Sequence, residues 1–389
     1  MTIVVTGGGS GGHIVPVLAV VAELKKRQPD VRVVYIGQLG DDLSAIAQSD
    51  ANIDAFYAVR AGKFRRYHNE GWRQVFDWRT QILNVKDGFR VLIGCVSAWL
   101  LLGKIKPDVV FTRGGYVSVP VALAAKLRHV PYITHDSDII PSLANRIIAP
   151  WASRHAVAQS SVGYPYPADK TSVVGVPVSE YYQPVDRKLL MRYRQELNIQ
   201  SAGEVICVTG GGNGAQKLNE IFLANAAYLL RHYPKLVILH IAGRSQVESL
   251  SAQYDTVVKP VKNRERVRVE GFVDDLYRYS GAADIVIARG GATNLAEFAI
   301  QGKACIIIPS KQLKWNVRNA QAMANERAVI SLDEEAAEQE LRLAHLVTEL
   351  LEDDLKRLAL QQKLASFANP QAARDLADLI LQTARNKQD

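Results

Sequence analysis

The chain has 389 residues, 48% of them apolar and 22% charged, with a formal net charge of +8. These values are typical of a soluble globular protein that is long enough for two domains. We expect no signal peptide, because Met1 is followed at once by an apolar strand. The longest apolar run, 91–102, has only twelve residues, whereas a membrane-spanning helix needs about 20. The composition therefore argues against a secreted protein and against a membrane span.

Short apolar runs alternate with helix-length segments, a pattern typical of parallel, doubly wound sheets. The first helix is expected to begin near Ile14–Pro16, and the last near Asn369-Pro370. In the first half of the chain, strands are predicted at 2–6, 31–36, 109–112, 132–135, 156–158 and 172–174. In the second half they are predicted at 205–209, 236–242, 267–270, 284–288 and 305–309.

A cluster of glycine and proline at 175–184 marks the expected domain boundary. We therefore predict an α/β fold of two Rossmann-like doubly wound domains facing a cleft, at 1–177 and 178–365. A C-terminal helix at 366–389 completes the chain and could pack back on the N-terminal domain. The three cysteines lie far apart in apolar runs, which predicts buried, reduced thiols.

The same glycine-rich turn occurs twice, at 5–11 and at 208–214, each time after an apolar strand and before a helix. Glycine lets the backbone approach a ligand closely, and the free N–H groups of a helix start attract phosphate. A single turn of this kind also fits an NAD-binding oxidoreductase. That alternative expects an acidic residue closing the second strand, but Gly37-Gln38 stand there. Two turns half a chain apart favour an enzyme that joins two phosphate-bearing substrates.

The segment 60–106 holds ten basic residues against three acidic ones and is interspersed with large aromatic residues. Such a segment can bind anionic lipid headgroups or nucleic acid, or can be an ordinary solvated helix face. Because the chain has no other nucleic-acid motif, we expect no nucleic-acid partner and favour a membrane surface.

Three further features are candidates for chemistry. His13 follows the first glycine turn, where it could be a general base or could only order the loop. Asp136-Ser137-Asp138 has the spacing of a metal-binding D-x-D motif, but we favour a metal-free loop at the end of a strand. Glu297 lies in a helix after the turn 289–291, where its carboxylate could accept both ribose hydroxyls or be an ordinary surface glutamate.

Taken together and in chain order, these segments resemble the MurG family of inverting glycosyltransferases. The similarity runs along nearly the whole chain and is far more specific than one glycine turn. The matching segments are Gly7–His13 with Pro16, 113–118, His135 with 141–146, 175–177, 210–214 with Leu218-Asn219, 272–275, 289–297 and 318–320.

The resemblance implies a two-domain GT-B fold that needs no metal or cofactor and transfers N-acetylglucosamine from its UDP donor to the C4 hydroxyl of lipid I. It implies an undecaprenyl-diphosphate-linked acceptor on the N-terminal domain and peripheral attachment at the cytoplasmic face of the membrane through 60–106. His13 would be catalytic. The acceptor side would comprise Gly9, Ser10, Gly11, Gly12, Tyr116 and Asp138. The UDP-sugar would contact Ser179, Gly212, Asn213, Val273, Ala292, Thr293, Glu297 and Asn316.

Some positions depart from the family pattern. Asp136-Ser137-Asp138 stand where the family usually has Glu-Gln-Asn, and Ser179 stands where an arginine is usual. Trp315 and Asn316 replace two glutamines of the donor-sugar site, and Asn213 departs from the usual second glycine loop. A related transferase with another UDP-sugar or lipid acceptor is therefore the nearest alternative. An oxidoreductase and a non-catalytic lipid- or nucleotide-binding subunit are more distant ones.

Overall fold

The computed structural model describes residues 1–8, 11–41, 44–62, 78–159, 163–211, 214–258 and 264–386. For 11–13, 78–81 and 83–84 it describes the backbone alone. The chain divides into two compact units. The first comprises Met1–Ser179 and Asn369–Asp389, and the second comprises Glu180–Ala368.

The first unit contains one parallel sheet. Its strands are β1 (Thr2–Thr6), β2 (Arg32–Gln38), β3 (Ala55–Val59), β4 (Val109–Thr112), β5 (Tyr132–Asp136), β6 (Arg154–Val157) and β7 (Thr171–Val173). Its helices are α1 (Gly11–Arg27), α2 (Ser44–Gln48), α3 (Trp78–Ile105), α4 (Ser118–Leu127), α5 (Leu143–Ile148) and, from the end of the chain, α15 (Ala372–Arg385).

The strand order of this sheet is β3-β2-β1-β4-β5-β6-β7. The order reverses between β1 and β4, and in such sheets the crevice at that reversal is the usual ligand site. One layer of the core lies under α1 and α15, where Val17 and Val21 are buried in the same cluster as Leu376 and Ile380. An Arg27–Asp378 ion pair of 2.6 Å also joins these two helices. The last helix is thus part of the first unit.

The second unit also contains one parallel sheet. Its strands are β8 (Val205–Thr209), β9 (Val237–Ile241), β10 (Val267–Glu270), β11 (Ile285–Ala288), β12 (Ala304–Ile307) and β13 (Ile330–Ser331). Its helices are α6 (Arg187–Glu196), α7 (Gln216–His232), α8 (Val247–Val258), α9 (Leu276–Ala282), α10 (Ala292–Gln301), α11 (Lys314–Asn325), α12 (Glu334–Ala337), α13 (Arg342–Glu352) and α14 (Asp354–Ala365).

The order of this second sheet is β10-β9-β8-β11-β12-β13, with the reversal between β8 and β11. Buried residues of β8, β11 and β12 face two core clusters, one on each side of the sheet. The predicted α/β fold with two doubly wound sheets is therefore confirmed. Both glycine turns leave their sheets at the reversal of strand order.

Several details differ from the sequence prediction. Strand β3 was missed because it is a half-exposed edge strand, and β13 because it has only two residues. Helix α1 begins at Gly11 rather than near Ile14, so Pro16 lies inside the helix. Cys207 and Cys305 are buried thiols as expected, but Cys95 is only half-buried on α3.

Candidate functional site

The first reversal point is closely packed around the start of the β1–α1 turn. The Tyr35 hydroxyl donates a 2.7 Å hydrogen bond to the Gly7 carbonyl. A Cβ on Gly8 would lie 3.3 Å from Val117 Cγ1 and 3.5 Å from an Asp41 carboxylate oxygen. Side chains from three other segments therefore border this turn, which brings a carboxylate next to the predicted acceptor loop.

Tyr116, a predicted acceptor-side residue, belongs to the same region. Its pKa is raised, first by burial and then by the negative charge of Asp41, so the phenol stays protonated at neutral pH and can donate a hydrogen bond. The turn 113–115 comes directly before Tyr116. It bends at Gly114, whose φ of +87° favours glycine. The predicted residues Gly9 and Ser10 lie outside the described residues. Gly11, Gly12 and His13 form the first turn of α1, where the structure describes the backbone but not the His13 side chain.

The end of β5 carries a buried polar cluster. His135 Nε2 lies 2.9 Å from the Gly175 carbonyl oxygen, and its Nδ1 lies 3.3 Å from Ser137 Oγ. Because a carbonyl can only accept, Nε2 carries the proton and the Ser137 hydroxyl donates to Nδ1. Burial, together with the charge of Arg113, lowers the pKa of His135 to about 3. The ring is therefore neutral at physiological pH.

The Asp136 carboxylate organises the loop that follows β5. Its Oδ1 accepts hydrogen bonds from the Ser142 amide at 3.1 Å and from Asn145 Nδ2 at 2.8 Å. Its Oδ2 accepts one from the Tyr166 hydroxyl at 2.6 Å. These bonds occupy the carboxylate with protein donors, which favours a loop-ordering role over metal binding for Asp136. Asp138 of the same motif is half-buried, and its carbonyl accepts from the Tyr164 hydroxyl at 3.2 Å.

The second reversal point opens into a cavity of about 630 Å³ at the carboxyl ends of β8, β11 and β12. The amino ends of α7, α10 and α11 border it through Gln216, Gly291 and Leu313. Helix amino ends carry partial positive charge and unbonded N–H groups, so three of them around one cavity make it suited to an anion. Gly210, Gly211 and Gly214 of the second turn also line the cavity.

Asn316, a predicted donor-side residue, lines this cavity and is only 5% exposed. Its Oδ1 is a buried atom without a hydrogen-bond partner among the described residues. A buried carbonyl oxygen without a donor is costly, so a ligand hydroxyl or amide N–H would satisfy it. Asn294, which the sequence argument missed, lines the cavity three positions before Glu297 on α10.

Glu297 is buried, which excludes the surface-glutamate alternative. Its carboxylate accepts a hydrogen bond from the Tyr182 hydroxyl, and that bond adds to burial in raising the pKa of Tyr182. Tyr182 was missed because it is more than a hundred positions from Glu297 in the sequence. Only contact in the folded unit reveals the pair.

Of the predicted donor residues that the structure describes, only Asn316 lines the cavity, and Glu297 lies outside the lining. Ala292 and Thr293 begin α10, and Val273 follows β10; all three are half-buried and outside the cavity lining. Ser179 is the last residue of the first unit's main segment rather than part of the second. Gly212 and Asn213 lie outside the described residues.

Helix α3 presents an apolar face. Its exposed members recur at helical spacing: Ile82, Val85, Phe89, Leu92, Ile93, Val96, Trp99 and Leu100. The window Val85–Ile105 is long and apolar enough to span a bilayer by length and composition, with a mean hydropathy of 1.6. This window is longer than the apolar run 91–102 on which the expectation of no membrane span was based, because it also includes apolar positions on either side of that run. Of the predicted basic and aromatic segment, 63–77 lie outside the described residues.

The opposite face of α3 is packed within the first unit. Asp87, Ala98 and Leu102 on this face are at most 1% exposed. Gly94 approaches the backbone so closely that a Cβ there would lie 2.0 Å from the Arg60 carbonyl oxygen.

Among the described residues, no group of three or more His, Cys, Asp or Glu side chains is arranged to hold a metal ion.

Comparison with known proteins identifies the family. The model of the glycosyltransferase family 28 N-terminal domain matches residues 3–157, and that of the family 28 C-terminal domain matches 205–380. The UDP-N-acetylglucosamine–N-acetylmuramyl-(pentapeptide) pyrophosphoryl-undecaprenol N-acetylglucosamine transferase 2 of Bacillus anthracis is 33% identical over 308 residues, covering 79% of this chain and 78% of the relative. The corresponding transferase of Halalkalibacterium halodurans is 29% identical over 388 residues, covering 99% of this chain and 100% of the relative.

A solved structure has the same fold. The crystal structure of Acinetobacter baumannii MurG superposes with a TM-score of 0.69 at 22% identity, covering 98% of this chain and 99% of that one. The two family 28 matches leave no support for the oxidoreductase alternative. The chain therefore belongs to glycosyltransferase family 28, and its predicted resemblance to MurG is confirmed.

Proposed function

We propose that this protein transfers N-acetylglucosamine from UDP-N-acetylglucosamine to the C4 hydroxyl of the muramoyl sugar in lipid I. The names of its full-length relatives describe this reaction. The observation that carries the donor half of the proposal is the cavity of the second unit. It combines three helix amino ends with the buried amide oxygen of Asn316, which has no hydrogen-bond partner among the described residues. A sugar nucleotide has the matching groups, a diphosphate and hydroxyl or amide donors.

In the proposed reaction, the acceptor hydroxyl oxygen attacks the anomeric carbon of the donor sugar from the face opposite UDP. The bond from that carbon to the β-phosphate oxygen breaks, and its electron pair stays on UDP. The hydroxyl proton passes to a base, for which we propose His13. The configuration at the anomeric carbon is thereby inverted. The protein must hold the two substrates in line and stabilise charge on the departing diphosphate.

We assign the donor to the second unit. Glu297 accepts the ribose hydroxyls, and Tyr182 holds its carboxylate in place. A carboxylate has about four acceptor directions, so the bond from Tyr182 is compatible with bidentate contact to a ribose. The backbone of Val273 contacts the uracil. The remaining proposed donor contacts are Ser179, Gly212, Asn213, Ala292, Thr293 and Asn316.

We assign the lipid-linked acceptor to the first unit. The buried turn around Gly8 and the protonated Tyr116 support this assignment, because a phenol and backbone N–H groups can donate to a diphosphate. Asp138 and the residues Gly9, Ser10, Gly11 and Gly12 complete the proposed acceptor side. No metal or cofactor enters the proposed mechanism.

The first test is transfer of labelled N-acetylglucosamine from its UDP donor to a short-chain lipid I analogue. Glu297→Gln keeps the side-chain volume but removes the charge that binds the ribose. We expect kcat/KM to fall about 100-fold, the size of one lost charge-assisted hydrogen bond, because the glutamine amide oxygen can still accept the other. Glu352→Gln is the matched control, because Glu352 also accepts from a tyrosine, Tyr233, but at the surface. It is expected to keep wild-type activity.

Other results of the same assay discriminate between the alternatives. If UDP binds and no N-acetylglucosamine is transferred, the protein is a related transferase with another sugar or acceptor. If UDP-sugars bind and none of a panel of UDP-sugars and lipid acceptors reacts, it is a non-catalytic binding subunit. Equal activity of Glu297→Gln and wild type would contradict the proposed role of Glu297.

We also propose that the protein is peripheral, with the exposed face of α3 lying on the cytoplasmic surface of the membrane. The buried face of α3, with Asp87 paired to Arg90 at 2.8 Å, is packed within the first unit. A bilayer-spanning orientation would break that packing and expose a carboxylate to lipid, which is costly. An amphipathic helix in the interface keeps its packing and buries its apolar face. Basic residues of 60–106 would add attraction to anionic lipids.

The membrane proposal is tested by co-sedimentation with vesicles that contain anionic phospholipid. Leu92→Glu combined with Val96→Glu places two charges on the exposed face, and we expect at least a tenfold weaker partition. Leu355→Glu is the control, because Leu355 is 80% exposed on α14 of the other unit. Equal partition of the double variant and the control would refute the assignment of this face.

A further inference from the structure

Two lysines border the cavity of the second unit, and neither was among the residues expected to bind the donor. Lys217 lies in the first turn of α7, and Lys311 lies in the loop between β12 and α11. Each is held by a carboxylate of the same short acidic segment. Lys217 Nζ pairs with Glu338, and Lys311 Nζ lies 2.7 Å from Glu335 Oε1. These hydrogen bonds raise the pKa of both lysines, so both are charged at neutral pH.

These two pairs are exposed. The side chains of Lys217 and Glu338 are 43% and 47% exposed, and those of Lys311 and Glu335 are 61% and 64% exposed. Exposed ion pairs contribute little because water screens the charges and two flexible side chains must be ordered. An anion that enters the cavity can therefore compete successfully with the carboxylates for both ammonium groups.

The third cation of the cavity is held differently. Arg289 Nη1 lies 2.7 Å from Glu334 Oε1, and the two side chains are only 11% and 7% exposed. The same Nη1 also donates to the Ile308 carbonyl at 2.9 Å. Breaking a buried pair leaves an uncompensated charge, so Arg289 is a structural anchor for the loop after β12. The two lysines are the cations that can change partners.

We propose that Lys217 and Lys311 exchange Glu338 and Glu335 for the donor diphosphate and neutralise the departing UDP. This inference rests on the proposed function and adds two residues to it. A separate observation points to a ligand in the same cavity, since the Oδ1 atom of the 5% exposed Asn316 has no partner among the described residues. The remaining carboxylate of the cavity lining, Glu220, accepts from Gln216 Nε2 at 2.9 Å.

The exchange has a direct consequence for the reaction. When the bond between the anomeric carbon and the β-phosphate oxygen breaks, its electron pair adds negative charge to the UDP oxygen. Two ammonium groups at the diphosphate offset this charge in the transition state, and no proton needs to be delivered to the leaving group. Before the exchange, Glu338 pairs with Lys217 and Glu335 with Lys311. The carboxylates therefore compete with the substrate.

The test compares UDP with uridine by titration calorimetry on the full-length protein. Lys217→Met and Lys311→Met keep the aliphatic stem and remove the charge. Each is expected to weaken UDP binding about tenfold, with uridine binding unchanged because uridine lacks the diphosphate. Lys356→Met is the matched control. Lys356 pairs with Glu349, and the side chains are 39% and 49% exposed, close to the values of the Lys217 pair.

Removing the competing carboxylates is expected to have the opposite effect. Glu335→Gln and Glu338→Gln each free a lysine, and UDP binding should become about two- to fivefold tighter, the size of a surface ion pair. A merely structural role of these pairs would not tighten binding. In the transfer assay, the double lysine variant should lower kcat more than it raises KM, because the charge on UDP is largest in the transition state.

The outcomes separate this inference from the proposed function. UDP binding by wild type with unchanged affinity in both lysine variants overturns the exchange and leaves the proposed function intact. Weaker UDP binding in the glutamine variants likewise overturns the exchange. If the wild-type protein binds no UDP, the proposed donor assignment fails, and the exchange fails with it. Selective loss of UDP affinity in the lysine variants, with a gain in the glutamine variants, supports the exchange.

Discussion

The two glycine turns leave their sheets at equivalent places, one between β1 and α1 and the other between β8 and α7. Around the first turn, the close contacts come from side chains: a Cβ on Gly8 would meet Val117 Cγ1 at 3.3 Å. Around the second, they come from backbone: a Cβ on Gly214 would lie 2.4 Å from the Ala242 carbonyl oxygen. Side chains can shift by a few tenths of an ångström, whereas a strand end cannot.

The surroundings of the two turns differ in charge as well. The polar groups described near the first include the phenols of Tyr35 and Tyr116 and the carboxylate of Asp41. The second borders a cavity lined by three cations, Lys217, Arg289 and Lys311, and by the two carboxylates of Glu220 and Glu334. The same sequence motif thus occurs in two different chemical environments. The motif indicates where a ligand lies, and the residues packed around it indicate which ligand.

The largest expected effect of a single substitution is that of Gly214→Ala. Gly214 has a φ of +73°, which a residue with a Cβ adopts only at a cost, and the new methyl would collide with the Ala242 carbonyl. We expect the second unit to lose about 3 kcal/mol of unfolding free energy, and UDP affinity to fall with it. Urea unfolding measures the free energy of unfolding, and titration calorimetry with UDP measures the affinity. A loss below about 0.5 kcal/mol would show that the loop is not constrained by this contact.

Acid is expected to destabilise both units through buried histidines, which are His135 and His155 in the first unit and His240 in the second. His240 donates from Nε2 to Asn219 Oδ1 at 3.0 Å and accepts from the Tyr254 hydroxyl at 2.8 Å. Burial lowers the pKa of His240 and of His135 to about 3 and that of His155 to about 4, against an ordinary histidine pKa of 6.5. The unfolded chain therefore binds a proton that the folded unit does not. Each histidine's contribution is complete above pH 6.5 and is lost progressively as the pH falls towards its lowered pKa.

The expected slope is about 1.4 kcal/mol per pH unit for each histidine. The free energy of unfolding in urea at pH 6.5 and at pH 5 should therefore differ by about 2 kcal/mol for each of these histidines. His135→Asn should reduce the pH dependence of the first unit's transition, and His240→Asn that of the second. If either variant keeps the full wild-type slope, the corresponding ring is not buried in its neutral form.

A smaller effect is expected from Tyr166→Phe in the first unit. The substitution removes the hydroxyl that donates to Asp136 Oδ2, while the two donors on Oδ1 remain. The loss should be about 1 kcal/mol in the unfolding of the first unit, with the second unit unchanged. Tyr164→Phe is the control, because that hydroxyl donates to the Asp138 carbonyl at a longer 3.2 Å. Equal losses in the two variants would mean that the Asp136 carboxylate does not organise this loop.

The smallest expected effect is that of Gly8→Ala. The added methyl would touch Val117 Cγ1 at 3.3 Å, and that side chain can yield. We expect a change below about 1 kcal/mol and unchanged UDP affinity, in contrast to Gly214→Ala. A loss as large as that of Gly214→Ala would remove the distinction between the two turns.

The local features of the fold followed from the sequence. The strands around both glycine turns were predicted because they are short apolar runs flanked by helix-length segments, and burial of both sheet faces produces that pattern. The family followed from an ordered set of motifs along the chain. The edge strand β3 was missed although all five of its residues are apolar, and β13 was missed because it has only two residues. The start of α1 was misplaced because Pro16 indicated the first turn of the helix, whereas the helix begins at Gly11, five positions before this proline.

The sequence by itself therefore determined two doubly wound sheets, two phosphate-type turns and membership of a glycosyltransferase family, since periodicity and glycine turns are local properties. Only the tertiary structure revealed the partners of the functional side chains. Tyr182 with Glu297, Lys217 with Glu338 and Asp41 with Tyr116 are all pairs from distant parts of the chain. No local pattern encodes such pairs, because they form when the strand ends of a parallel sheet bring separate loops to one edge.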